Sequence, residues 1–279
     1  MKIIRVFPQR TSYMPTDDYA FVGRPPFNPP EADEVHVSCT FTWNKNKAEA
    51  LAQDWSSHFK TVKLGGPAYD DAGGQFTPGM YLKKGEVITS RGCPNKCPYC
   101  FVPKREGNLR TLEIKDGYDV LDNNLLACPR KHIDAVLDML AKQKQKAMFR
   151  GGLDARLFKE WFADRICQIG FKQAFFAYDR PNDQEPVHNA LKMLRERRCD
   201  RHKLNCYVLV GYKEDTTQKA LQRLQWVKEQ DATPFAMFFR SSDDKKEIPP
   251  QWSKFVRTWS RPANIFHKHD NQPENTLFE

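Results

Sequence analysis

Glu86-Val-Ile-Thr89-Ser-Arg-Gly-Cys93-Pro-Asn-Lys-Cys97-Pro-Tyr99-Cys100 begins as a short apolar strand and runs into a loop with three cysteines in eight positions. Beyond this loop the chain repeats one unit. Gly117–Leu121 reads as a second strand ending at Asp122-Asn123-Asn124, and Lys131–Gln143 has helical apolar spacing at Ile133, Val136, Leu137 and Leu140. Ala147–Arg150 is a third strand ending in Gly151-Gly152-Leu153-Asp154, before a helix over Lys159–Ile169. Gln173–Ala177 ends at Tyr178-Asp179 and precedes the helix Pro186–Arg197; Leu204–Val210 ends at Gly211 and precedes Thr217–Glu229. A sixth strand, Phe235–Phe239, and a helix over Trp252–Trp259 complete the series. Strands separated by helices of this length imply parallel pairing through right-handed crossovers. Six such units are two short of a closed eight-unit barrel. The expected fold is α/β, a partial (β/α)6 barrel over 86–261, with its chemistry beyond the carboxyl ends of the strands.

Working upstream, residues 1–85 have a different texture and predict a small α/β domain. Met1–Pro8 reads as a short strand rather than a signal peptide, since no apolar core or small-residue cleavage site comes after it. Thr11–Glu34, with Pro15, Pro25, Pro26, Pro29 and Pro30, predicts mostly loop. A strand from Glu34, an amphipathic helix over Lys45–Phe59 and a strand from Thr61 stopped by Gly65-Gly66-Pro67 form a β-α-β fragment, about half of a doubly wound domain. Ala68–Gly79 reads as a linker or lid. Downstream, 262–279 is polar and without period, and is expected to be extended or disordered.

Composition narrows the class. The 279 residues carry 44 Lys and Arg against 35 Asp and Glu, a formal charge of +9, and no apolar run approaches the ~20 residues a membrane span needs. Eight cysteines, three of them crowded together, are too few for a disulfide scaffold and suit a reducing, cytoplasmic compartment. The positive charge is compatible with a polyanionic partner, or simply with a solvated basic surface.

Thiolates are soft ligands suited to iron–sulfur clusters and to zinc. Three of them in one tight loop can hold three corners of a [4Fe–4S] cubane and leave the fourth iron open. Zinc normally takes four protein ligands. The nearest downstream candidates, Cys128 and His132, have no paired spacing, and C-x3-C-x2-C is not the pattern of a zinc ribbon. Of the scattered cysteines, Cys167 and Cys206 read as small core residues, while Cys128, after the second strand, can face the site.

Cys93, Cys97 and Cys100, with Tyr99 directly before the third, on the loop after the first strand of a repeating βα unit, resemble the radical S-adenosylmethionine (radical SAM) enzymes. The resemblance covers about 86–261. It implies that S-adenosylmethionine chelates the open iron and is reductively cleaved to methionine and a 5′-deoxyadenosyl radical, which takes hydrogen from a substrate. It also implies a flavodoxin- or ferredoxin-like electron donor. Asp122, Asn123 and Asn124 stand where the family contacts the methionine amino group, in a form closer to the Asp-Asp-x-Phe-like segment of some members. Tyr207–Glu214 resembles the adenine-contacting G-x-I-x-G-x-x-E, with Tyr207 in place of the first glycine, and assigns Leu209, Gly211 and Glu214 to cofactor binding. Arg150, Asp154, Tyr178 and Asp179, at the polar strand ends, are the candidate catalytic or substrate-holding residues; the same arginines and aspartates can equally form structural ion pairs.

Val35–Pro67, with Leu64-Gly-Gly-Pro67, resembles the cobalamin-binding-type domain that precedes many radical SAM barrels, but it lacks the Asp-x-His-x-x-Gly segment, so cobalamin is not expected. The region 88–107 resembles the methylthiotransferases of transfer RNA. Those carry three further cysteines in the front domain, where this chain has only Cys39, and no C-terminal RNA-binding barrel comes after the sixth strand, so methylthiolation is not expected. The expected substrate is a nucleic-acid base or nucleotide, modified or rearranged. This rests on the charge, the Lys83-Lys84 and Lys104-Arg105 pairs beside the cysteine loop, and exposed aromatics such as Trp43 and Phe76 that can stack bases. The alternatives are radical SAM modification of a peptide or small metabolite, and a non-catalytic iron–sulfur or zinc interaction module. Oligomeric state is not encoded in any motif.

Overall fold

The computed structural model describes residues 1–71, 73–241, 248–261 and 265. The polar tail expected over 262–279 lies outside these apart from Ile265, which is buried. The chain is mixed α/β with parallel sheets, and it divides into two compact units, one on Met1–Gly151 and the other on Gly152–Arg240 with the last helix. Among the described residues, no helix is long and apolar enough to cross a membrane.

The first unit opens with β1 (Ile3–Phe7), β2 (Ala20–Val22), β3 (Glu34–Ser38), α1 (Lys45–Ser56) and β4 (Val62–Gly65). The four strands form a parallel sheet in the order β2-β1-β3-β4. β-Branched residues alternate through it: Ile4, Val6, Val35 and Val37 are fully buried and pack with Ala48, Leu51 and Trp55 of α1. The helix covers the sheet because these three residues fall on one stripe. Strand β2 lies within the proline-rich stretch read as mostly loop; three residues are too few for an alternation to register.

The same unit continues with β5 (Glu86–Val87), β6 (Ser90–Arg91), α2 (Val102–Arg105), β7 (Arg110–Thr111), β8 (Asp119–Val120), α3 (Arg130–Ala141) and β9 (Ala147–Phe149). Strands β5, β8 and β9 pair in parallel, in chain order. Strands β6 and β7 form a separate antiparallel pair that closes the cysteine loop at its base, an element the sequence does not announce.

In the second unit, α4 (Glu160–Ile169), β10 (Phe171–Ala177), α5 (Gln184–Glu196), β11 (Leu204–Val210), α6 (Thr217–Glu229), β12 (Thr233–Phe238) and α7 (Pro250–Trp259) keep the expected alternation. Strands β10, β11 and β12 are parallel and adjacent in chain order. Helix α6 starts where Thr216 Oγ1 accepts the Lys219 amide at 3.2 Å, a cap worth ~1 kcal/mol. Its buried stripe of Ala220, Leu224 and Val227 packs on β11 and β12.

Gly211 ends β11 with φ of +75°, and a Cβ there would collide with the Phe238 ring. Gly211→Ala is therefore expected to cost about 2 kcal/mol, since strain and overpacking act together. A fall in the thermal midpoint measured against wild type checks this, and an unchanged midpoint would show that the ring moves freely.

Candidate functional site

The cysteine loop is fixed from below by one carboxylate. Asp122, two residues past β8, is 1% exposed; Oδ1 accepts from the Thr89 amide at 2.6 Å, and Oδ2 accepts from the hydroxyls of Thr89 and Ser90 at 2.6 and 2.7 Å. Burial raises its pKa, and these hydrogen bonds pull the other way. His132 of α3 lies 3.1 Å from Thr89 Oγ1, and burial lowers its pKa, which favours neutral imidazole. Sequence reading gives Asp122 a cofactor role; the structure engages its carboxylate with the segment that starts the loop.

The next two residues turn to the loop itself. Gly92 donates its amide to Asn123 Oδ1 at 3.0 Å, and Asn124 Nδ2 lies 3.5 Å from Cys93 Sγ. The Asn95 amide also points at Cys93 Sγ, at 3.4 Å. Gly92 has φ of +78° and sits against the Asn108 carbonyl, so the two arms of the loop approach as closely as only glycine permits. Within the loop, the Cys100 amide donates to the Cys97 carbonyl at 3.0 Å. The structure thus joins Cys93 to the Asp122–Asn124 segment, two motifs that sequence reading assigns to one site.

All eight cysteines are thiols; Cys93 and Cys97 are half-buried and Cys100 exposed. The donor chemistry fits a cluster: soft sulfurs on one open loop, with N–H groups directed at a sulfur as they are around cluster thiolates. The geometry is not that of a closed ligand set, because among the described residues no three His, Cys, Asp or Glu side chains are gathered to hold a metal.

Several expected residues have other work. Arg150, after β9, places Nε 3.2 Å from Asp119 Oδ2 and Nη1 3.3 Å from the Tyr13 hydroxyl. Asp119 pairs in register with Glu86 across β5 and β8, and both are buried. Burial, with the Glu86 carboxyl beside it, pushes the Asp119 pKa up to about 8. Sequence reading misses this acidic pair because charged residues at strand starts read as exposed. Cys128 is 6% exposed and its thiol is held up by burial, so it is packed away instead of facing an open site.

In the second unit, Asp154 grips Arg156 through Nε at 2.8 Å and Nη2 at 2.7 Å. Tyr178 is buried, its hydroxyl 3.3 Å from Gln184 Oε1 and its ring edge-on to Trp226. Asp179 accepts the Leu209 amide at 3.0 Å, and the Leu209 carbonyl accepts from Arg223 at 2.9 Å. Both backbone groups of Leu209, expected to contact the cofactor, are therefore engaged within the protein. Glu214 is exposed; its neighbour Asp215 instead accepts the Gly211 amide at 2.9 Å and pairs with Arg223 through both oxygens. Asp215 and Arg223 fix the turn after β11, while Glu214, expected to bind cofactor, makes none of these contacts.

Three further expectations are corrected. Phe76 is 7% exposed and is not a surface platform, whereas Trp43 is 48% exposed and stacks on Phe41. Cys167 is half-buried rather than core, with its sulfur 3.2 Å from Cys199, and burial and that neighbour push its pKa up to about 12; Cys206 is fully buried as expected. The basic pair Lys104 and Arg105 faces Asp70 at 3.8 and 3.5 Å, and Lys83 lies 3.6 Å from Glu86, which partly offsets their charge.

No family model matches the chain, and no curated protein matches it in sequence.

Proposed function

We propose that this chain is a radical SAM enzyme whose βα units make a partial barrel, acting on a nucleic-acid base or nucleotide. The observation that carries the reading is the joining of the cysteine loop to Asn123 and Asn124 beyond the carboxyl ends of β5 and β8. Parallel α/β assemblies put their chemistry at that edge. Cys93, Cys97 and Cys100 would hold a [4Fe–4S] cluster. When bound, the cluster and S-adenosylmethionine supply one electron and a 5′-deoxyadenosyl radical for hydrogen abstraction.

The chain's own residues prepare that site. Asp122 holds the start of the loop through Thr89 and Ser90, so the first thiol is presented from a rigid base. Asn124 and the Asn95 amide direct N–H groups at the Cys93 sulfur, which orients it. The nucleic-acid assignment is supported by the charge of +9 and by the exposed Trp43. It predicts that binding to short single-stranded DNA or RNA weakens steeply with salt, measured by fluorescence anisotropy. Binding that is absent, or indifferent to salt, would remove this substrate class and leave a peptide or small metabolite.

A further inference from the structure

The front sheet has a topological switch point. From β1 the chain moves to β2 on one side, and from β3 through α1 to β4 on the other, while β1 and β3 are neighbours. Open parallel sheets bind ligands in the crevice beyond the carboxyl ends of two such strands. A cavity of about 270 Å³ lies there, lined by Phe7 at the end of β1 and Gln9 beyond it, by Ser38 at the end of β3 with Thr40 and Phe41 beyond it, and by Asn44. Tyr13 and Tyr81 add two more rings, and Leu121, the residue before Asp122, closes it on the side of β8.

Three features define the occupant. The lining holds no charged side chain, so the enclosed part of the ligand is neutral. Aromatic rings among apolar walls suit a flat π-system, and Phe41 is itself stacked on Trp43 with ring centroids 4.6 Å apart. The polar groups are carboxamides and hydroxyls, which both donate and accept and so match the mixed edge of a heterocycle. Asn44 makes no side-chain cap to α1, which leaves that role out of its account. The volume is sufficient for one base.

We infer that this cavity is a binding site for a single neutral nucleobase. The inference deepens the nucleotide reading above by naming where a base is held; base binding itself needs neither iron nor S-adenosylmethionine.

The test titrates the full-length protein, as isolated, with adenosine, guanosine, cytidine and thymidine, and with ribose 5-phosphate as the base-free control, tracking tryptophan and tyrosine fluorescence. At least one nucleoside is expected to bind saturably, with ribose 5-phosphate bound far more weakly. Phe41→Leu keeps an apolar side chain but removes a stacking ring, and should weaken binding by about tenfold or more. Thr40→Trp, at an exposed lining position, should block the cavity with the thermal midpoint unchanged. Failure of every nucleoside, equal binding of ribose 5-phosphate, or undiminished binding in both folded variants would overturn the inference. Because the assay contains no reductant and no S-adenosylmethionine, a chain that binds a base but never forms 5′-deoxyadenosine contradicts only the catalytic proposal. A chain that forms it but binds no base contradicts only this one.

Discussion

Asp122→Ala is expected to destabilise the protein by about 4 kcal/mol and to abolish iron uptake by the cysteine loop. The carboxylate accepts three hydrogen bonds in a site sealed from water. Its removal leaves the Thr89 amide and two hydroxyls buried without their acceptor, and each such loss costs about 1–3 kcal/mol. The effect on function exceeds that on folding, because Thr89 and Ser90 are the residues from which the cysteine loop departs. Asp122→Asn keeps shape and one acceptor oxygen, so it should lose only about 1–2 kcal/mol. Urea unfolding of both variants beside wild type, with iron quantified after anaerobic reconstitution, separates the two effects. Equal iron uptake by wild type and by folded Asp122→Asn and Asp122→Ala would show that the carboxylate does not organise the loop.

Asp119→Asn is expected to stabilise the protein at alkaline pH. In the unfolded chain this carboxyl ionises near its ordinary 3.8, whereas in the fold burial and Glu86 hold its proton up to about 8. Between those values the folded state binds more protons, so this group's contribution to stability declines as pH rises and is lost above about 8. An asparagine can donate a hydrogen bond to Glu86, which keeps Lys83 beside it, and no second buried carboxylate then has to ionise next to Glu86. The difference between variant and wild type should be smallest near pH 4 and reach on the order of 2 kcal/mol above pH 8, or about 6 °C in the thermal midpoint. A difference that is flat across this range would mean that Asp119 is ionised in the fold throughout.

Asp119 also marks where the sequence stops being readable. The alternation of strands and helices is written in apolar spacing, and helix α6 begins and ends where that spacing predicts, at Thr217 and Glu229. Short elements carry no such signal, which is why β2, β6 and β7 escape a reading of the sequence. Asp119 and Glu86 look like surface residues because a charge in sequence gives no hint of a partner on the adjacent strand. Long-range pairing hides other features in the same way. Cys167 meets Cys199 across 32 positions, and Phe76 is buried although glycine and proline stand close to it in the chain. At the end of β11 the chain needs an acid to receive the Gly211 amide, and Asp215 rather than Glu214 reaches it, a difference of one residue in loop geometry. The cysteine motif and its Asp122–Asn124 counterpart are legible because both are local patterns; that they touch is a property of the fold.

On this proposal three sulfurs of the loop hold an iron–sulfur cluster able to cleave S-adenosylmethionine. The most direct measurement is anaerobic reconstitution of the full chain with iron and sulfide, then chromatography for 5′-deoxyadenosine after adding S-adenosylmethionine and dithionite. About four irons per chain and release of 5′-deoxyadenosine are expected, both lost in Cys93→Ala, Cys97→Ala and Cys100→Ala. Zinc in place of iron, or a cluster-loaded chain that leaves S-adenosylmethionine intact, would contradict it.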